Sequence, residues 1–177
     1  MLRRWMRFAV VCVCAVGWAS PAAAADVELF AGAGTILPDD STFEGVGVAW
    51  TAGVAVPVLN PSVAVQVEYT GAHARHARGG TVDLVNLGVG PRVRGTLFDG
   101  QLRPHGEFLV SWMRVANDPV GARRDTSDHV GVKFGGGVEI ALTDTIALDL
   151  AAHYLTAVTD DPTFQAIATT AAVRVGF

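Results

Sequence analysis

From Ile167 to Phe177 every second side chain is apolar or nearly so: Ile167, Thr169, Ala171, Val173, Val175 and Phe177. The positions between them, Ala168, Thr170, Ala172, Arg174 and Gly176, are small or charged. Successive side chains of a strand point to opposite faces, so this segment predicts a strand with one greasy face and one small or polar face. The same period recurs along the chain and makes the fold class all-β. It predicts eight strands, at Val27–Ile36, Gly45–Pro57, Val63–Ala72, Thr81–Arg94, Arg103–Val115, His129–Leu142, Ile146–Ala157 and Phe164–Phe177. Most reach the roughly 9–11 residues that a tilted strand needs to cross a bilayer's hydrocarbon.

The joins after the second, fourth and sixth strands are turn-like: Val58–Ser62, Phe98–Gln101 and Thr143–Asp144. Those after the first, third and fifth are longer and more polar. The longest, Ala116–Asp128, holds Asp118, Arg123, Arg124, Asp125 and Asp128. Val158–Thr163, after the seventh, departs from the pattern by being short. Short turns at one end and long loops at the other predict an antiparallel up-and-down transmembrane β-barrel with both termini in the periplasm. The predicted outer face carries Val63, Val65, Val67 and Tyr69; Phe108, Val110 and Trp112; Val130, Val132, Phe134, Val138, Ile140 and Leu142; and Ile146, Leu148, Leu150 and Tyr154. Trp50, Trp112, Tyr69, Tyr154 and Phe177 fall near strand ends, as interfacial aromatic belts do. A soluble β-sandwich is the competing fold, but its solvent face would be heavy in glycine and alanine and poor in charge. Gly45 to Val67 carries no charge for 23 residues. Its small–large alternation, broken at Pro57 and Pro61, reads as two strands and a turn, not a membrane helix.

The N-terminus reads as a secretory signal peptide over residues 1–25. Arg3, Arg4 and Arg7 precede a short apolar core, Phe8–Trp18, and Ala23-Ala24-Ala25 offers a cleavage site before Asp26. That core is too short to span a bilayer as a helix. A twin-arginine route lacks the rest of its motif, and Cys12 and Cys14 lack a lipobox. Residues 26–177 then form the single barrel domain. Three of the 13 basic residues and none of the 17 acidic ones lie in the leader, leaving 10 basic against 17 acidic, a net of −7. That balance argues against nucleic acid as a partner. Without cysteine, the domain has no disulfide and no thiolate for metal or nucleophilic chemistry, and the sequence calls for no cofactor.

Three segments carry a resemblance to a known family. GGGVEIALTDTIALDLAAHYL (135–155) joins a Gly-x-Gly-Val-Glu strand, a Leu-Thr-Asp turn and a strand of alternating aliphatics. LVNLGVGPRVR (84–94) and VRVGF (173–177) accompany it. These resemble the porin-like outer-membrane β-barrel family, which includes opacity-type proteins and is similar to the OmpA membrane domain. The resemblance implies a small closed barrel in the bacterial outer membrane and implies no activity. Phe177 matches the terminal aromatic of that family's last strand, which is read by the barrel-assembly machinery, so it is the expected assembly signal and that machinery an expected partner. The other expected partners are outer-membrane lipid and lipopolysaccharide, with the barrel monomeric.

Parity assigns the interior. The acids are Glu68, Glu107, Glu139 and Asp149; the bases are Arg92, Arg94, Lys133 and Arg174; Gln66, Asn86, Ser111, His105 and His153 join them. Four charges of each sign suit a sealed interior, because an unpaired buried charge is costly. Counting from the turns places Arg92 opposite Glu107, Arg94 opposite His105, and Asp149 diagonal to Arg174. An eight-stranded barrel is just wide enough for side chains to fill it. The expected interior is therefore a polar plug, with a narrow pore for small solutes as the alternative.

His73, Arg75, His76 and Arg78 form a basic loop on the expected outer side, suited to lipopolysaccharide phosphates. It lacks the nearby carboxylates or thiolates of a metal site. A lipid A-modifying hydrolase is the second alternative. It needs a nucleophile and a base on one lipid-facing wall, yet His153 and Ser111 have inward parity and Thr156 outward. No catalytic, metal or cofactor residue is therefore assigned. The expected role is structural or surface-interactive.

Overall fold

The structure, a computed structural model, describes residues 27–39, 43–77, 79–121, 123–158 and 164–177. The leader and Arg78 lie outside the described residues. Eight strands follow one another: β1 (Glu28–Pro38), β2 (Phe43–Asn60), β3 (Val63–His76), β4 (Gly80–Arg94), β5 (Leu102–Pro119), β6 (Asp125–Ala141), β7 (Ile146–Ala157) and β8 (Gln165–Gly176). Each pairs antiparallel with the next, and β8 pairs with β1, closing the barrel. Closure leaves no unpaired edge, which a backbone in hydrocarbon requires.

The eight-strand reading holds, with longer strands at the loop end. The expected loop Ala116–Asp128 is largely strand, since Ala116 pairs with Thr126 and Asn117 with Asp125. Backbone pairing outside the membrane needs no apolar alternation, so polar residues hid it. Likewise β3 continues to His76 and stays paired with β4 as far as Arg75 opposite Thr81. β2 extends to Asn60, with register shifts at Glu44/Val48 and Pro57/Asn60, so the following turn shrinks to Pro61-Ser62. Between β4 and β5 a tight turn places Phe98, Asp99 and Gly100 at φ of 52°, 54° and 88°. This left-handed geometry is natural only for the glycine.

The outer wall is apolar: Leu29, Val48, Leu87, Phe108, Val110, Phe134, Leu150 and Ile167 are all exposed on it. Trp50 lies flat on Gly71 of the neighbouring strand, where a Cβ would fall 2.3 Å from the indole. The interior has two storeys. Toward the turns and termini it holds charged groups. Toward the loops it holds a packed apolar layer that includes Ile36, Val82, Leu84, Met113, Leu155 and Phe164.

Candidate functional site

Arg92 is the hub of the lower storey. It is 2% exposed and donates to Glu107 (3.1 Å), Glu139 (2.6 Å), Asp149 (3.0 Å) and Gln66 (3.4 Å). Its place follows from register: residue 92 faces 107 across β4–β5, and 139 faces 149 across β6–β7. Arg174 donates to Asp149 at 2.7 Å and to Gln66 at 3.2 Å, and its guanidinium stacks 4.3 Å from the Phe30 ring. His105 approaches the other Asp149 oxygen at 2.8 Å.

One level toward the loops, Lys133 donates to Glu68 at 2.5 Å, and Gln66, Thr51 and Thr70 donate to the same carboxylate. Lys133 Nζ and His153 Nε2 also lie 3.1 and 3.0 Å from Glu107 Oε1, in Coulombic contact without hydrogen-bond alignment. A void of about 10 Å³ remains in this network, about the size of one water. Above it, Leu109, Met113 and Leu155 have no exposed surface.

The structure adds two ionic residues to the parity set. Glu28 opens β1 and pairs with Arg94, and Arg103 lines the mouth at the turn end. Glu28 shares parity with the inward Phe30, and Arg103 with His105 and Glu107. Both were legible once strand starts were placed. The apolar layer was legible in the same way, because Leu109, Met113 and Leu155 alternate in step with Glu107, Ser111 and His153. At the turn end, a vestibule of about 400 Å³ opens between Glu28, Arg94, Arg103, Glu139 and Arg174.

The opposite rim corrects one site residue. His73 and Arg75 face outward, but His76 is buried inside, 7% exposed, because β3 keeps alternating through it. His73 meets Asp83 at 2.7 Å, and Arg124 lies 3.9 Å from the same carboxylate. Beyond the belt residue Trp112, Arg114 stacks 5.0 Å from its ring and donates to both oxygens of Asp128 (2.7 and 3.0 Å). That hydrogen bonding holds the Asp128 carboxyl below its ordinary range. Phe177 is exposed beside the vestibule, and its backbone N–H donates to the Val27 carbonyl. Ser111 and His153 are both buried inside. Among the described residues no cluster of three or more His, Cys, Asp or Glu is placed to hold a metal.

A closed barrel with an apolar wall and a filled, ion-paired interior defines a small integral membrane barrel. The chain belongs to the outer membrane protein beta-barrel domain family, which it matches over residues 8–174. Its location is the bacterial outer membrane. Neisserial surface protein A is similar in fold, with a TM-score of 0.72 at 18% identity over 85% of this chain and 97% of that one. So is OprG from Pseudomonas aeruginosa, at 0.65 and 10% identity over 87% and 96%. Ail of Yersinia pestis, in complex with the heparin analogue sucrose octasulfate, is similar at 0.50 and 11% identity over 85% and 97%. At these identities the likeness is one of fold. No curated protein matches the sequence.

Proposed function

We propose that this barrel acts through its surfaces, as an envelope-structural and interaction protein whose outer wall contacts lipopolysaccharide phosphates. The observation that carries the reading is the contrast between interior and rim. The interior is filled, ion-paired below and apolar above. The outer wall instead presents Arg75, and Arg114 in its pair with Asp128, beyond Trp50 and Trp112, with His73 against Asp83. Trp and Tyr sit at headgroup level, so cations just beyond them are at the depth of anionic headgroups, which arginine suits. Ail, of similar fold, has been crystallised with the heparin analogue sucrose octasulfate.

A conducting role is disfavoured by the packed layer of Leu109, Met113 and Leu155. Hydrolysis of lipid A is disfavoured because Ser111 and His153 are shut inside the barrel, away from lipid. Phe177, exposed at the end of β8, is proposed as the signal to the assembly machinery. The test is binding of purified barrel to lipopolysaccharide before and after enzymatic dephosphorylation, with Arg75→Gln and Arg114→Gln variants. Weaker binding after either change is expected. Equal binding by wild type and both variants would refute the contact. A lipid A acyl chain missing only in cells that carry the protein would favour an enzyme instead.

A further inference from the structure

The vestibule at the turn end is a second feature, independent of the outer-wall contacts. Its volume of about 400 Å³ lies in the range of small-molecule sites, roughly 300–1,000 Å³. With the short turns at this end, it opens to the periplasm.

Its two inner acids are already engaged, while Asp144 on the rim makes no ion pair among the described residues. Glu28 is paired with Arg94, and Glu139 takes Arg92 at 2.6 Å, Arg174 at 3.4 Å and Arg94 at 3.6 Å. Below that rim the spare capacity lies in donors. Arg103 uses only Nε, donating to the Gly100 carbonyl at 3.2 Å, and makes no ion pair among the described residues. Both of its terminal nitrogens are therefore uncommitted among the described residues. Arg174 is 4% exposed, and its Nη1 has no hydrogen-bond partner, although it is ion-paired with Glu28 at 3.6 Å. The Ser62, Thr96 and Thr145 residues line the same space and add hydroxyl groups. An arginine fork with free donors, a buried guanidinium short of an acceptor and a ring of hydroxyls together match an oxygen-rich anion.

The geometry points to the vestibule as a periplasmic binding site for a small polar ligand bearing one oxyanion group, of about monosaccharide size. The anion lies against Arg103, with Arg174 behind it and the polar body against the hydroxyl residues of the turns. A soluble sugar phosphate and the phosphate of an inner-leaflet lipid headgroup share this chemistry.

The test is amide NMR of the full chain in neutral-detergent micelles, titrated with glucose 1-phosphate and, as the uncharged control, glucose. Shifts at Ser62, Thr96, Thr145 and Gly176 with glucose 1-phosphate alone are expected. Arg103 lies outside the buried ion network, so Arg103→Gln should keep the heat-modifiable fold and bind at least about tenfold more weakly, as loss of a charged hydrogen bond implies. The same titration in phosphatidylglycerol nanodiscs separates the sources. Unchanged glucose 1-phosphate binding there supports the site with a soluble ligand. Its suppression, with those amides already shifted, supports the site with the lipid headgroup as occupant. No shifts in micelles, equal shifts with glucose, or unchanged affinity in Arg103→Gln would each overturn the proposal.

Discussion

Replacing Arg92 by alanine is the sharpest perturbation of the interior. The guanidinium serves three carboxylates at once, those of Glu107, Glu139 and Asp149. The loss is not three full ion pairs, because each acid keeps another cation. Glu107 keeps Lys133 at 3.1 Å, Glu139 keeps Arg174 at 3.4 Å, and Asp149 keeps Arg174 at 2.7 Å. What remains is one uncompensated buried negative charge, which costs about 3–5 kcal/mol. Arg94→Ala is the internal control. Its side chain is 17% exposed at the vestibule, and Glu139 keeps Arg92 and Arg174, so water can reach Glu28 in its absence and the loss should be smaller, about 1–3 kcal/mol. Adding Glu139→Gln to Arg92→Ala restores the charge balance and should recover about 1–3 kcal/mol, the usual coupling of contacting residues. The assay is reversible urea unfolding in lipid vesicles, followed by emission of Trp50 and Trp112. An Arg92→Ala variant within about 1 kcal/mol of wild type, or an Arg94→Ala variant that loses more than Arg92→Ala, would refute the hub assignment.

Leu155→Ala opens a cavity in the apolar storey, where Leu155 has no exposed surface, and should lose about 2–5 kcal/mol in the same unfolding assay. Asp128 should titrate below the ordinary aspartate range because Arg114 hydrogen-bonds its carboxylate. Carboxyl NMR should show it rising toward that range in Arg114→Gln. The pair's stabilising effect is full above the ordinary aspartate pKa and fades as pH falls through the lowered value. Deleting Phe177 should reduce the heat-modifiable fraction in outer membranes severalfold while leaving refolding of purified chain into detergent intact. Unchanged assembly in cells would remove its role as a signal.

Period two made much of this molecule legible, because a closed barrel forces every strand to show one face to lipid and the other to its neighbours inside. The inward position of Glu107, Lys133, Glu139 and Asp149 follows from counting. The pairing of 92 with 107 follows from centring the count on one tight turn. Legibility fades where the physical constraint does. Beyond the membrane the strands need no apolar face, so the extension of β5 to Pro119 and of β6 back to Asp125 left no hydrophobic trace. His76 reads as a loop residue for the same reason, although it is turned inward. The division of the interior into an ionic and an apolar storey depends on the height of each side chain along the barrel axis. Parity does not encode height; register across all eight strands does. The vestibule arises where Arg103 and Arg174, distant in sequence, meet at one mouth, and no local pattern marks it.

Single-channel recording in planar bilayers tests the central claim, a filled interior with function at the surfaces, most directly. Wild-type barrel, confirmed folded by its shift on unboiled gels, should insert without steady conductance steps, because the packed layer around Leu109, Met113 and Leu155 closes the path above the ion network. Reproducible steps from the folded wild-type protein would contradict it and place a water-filled route through the barrel.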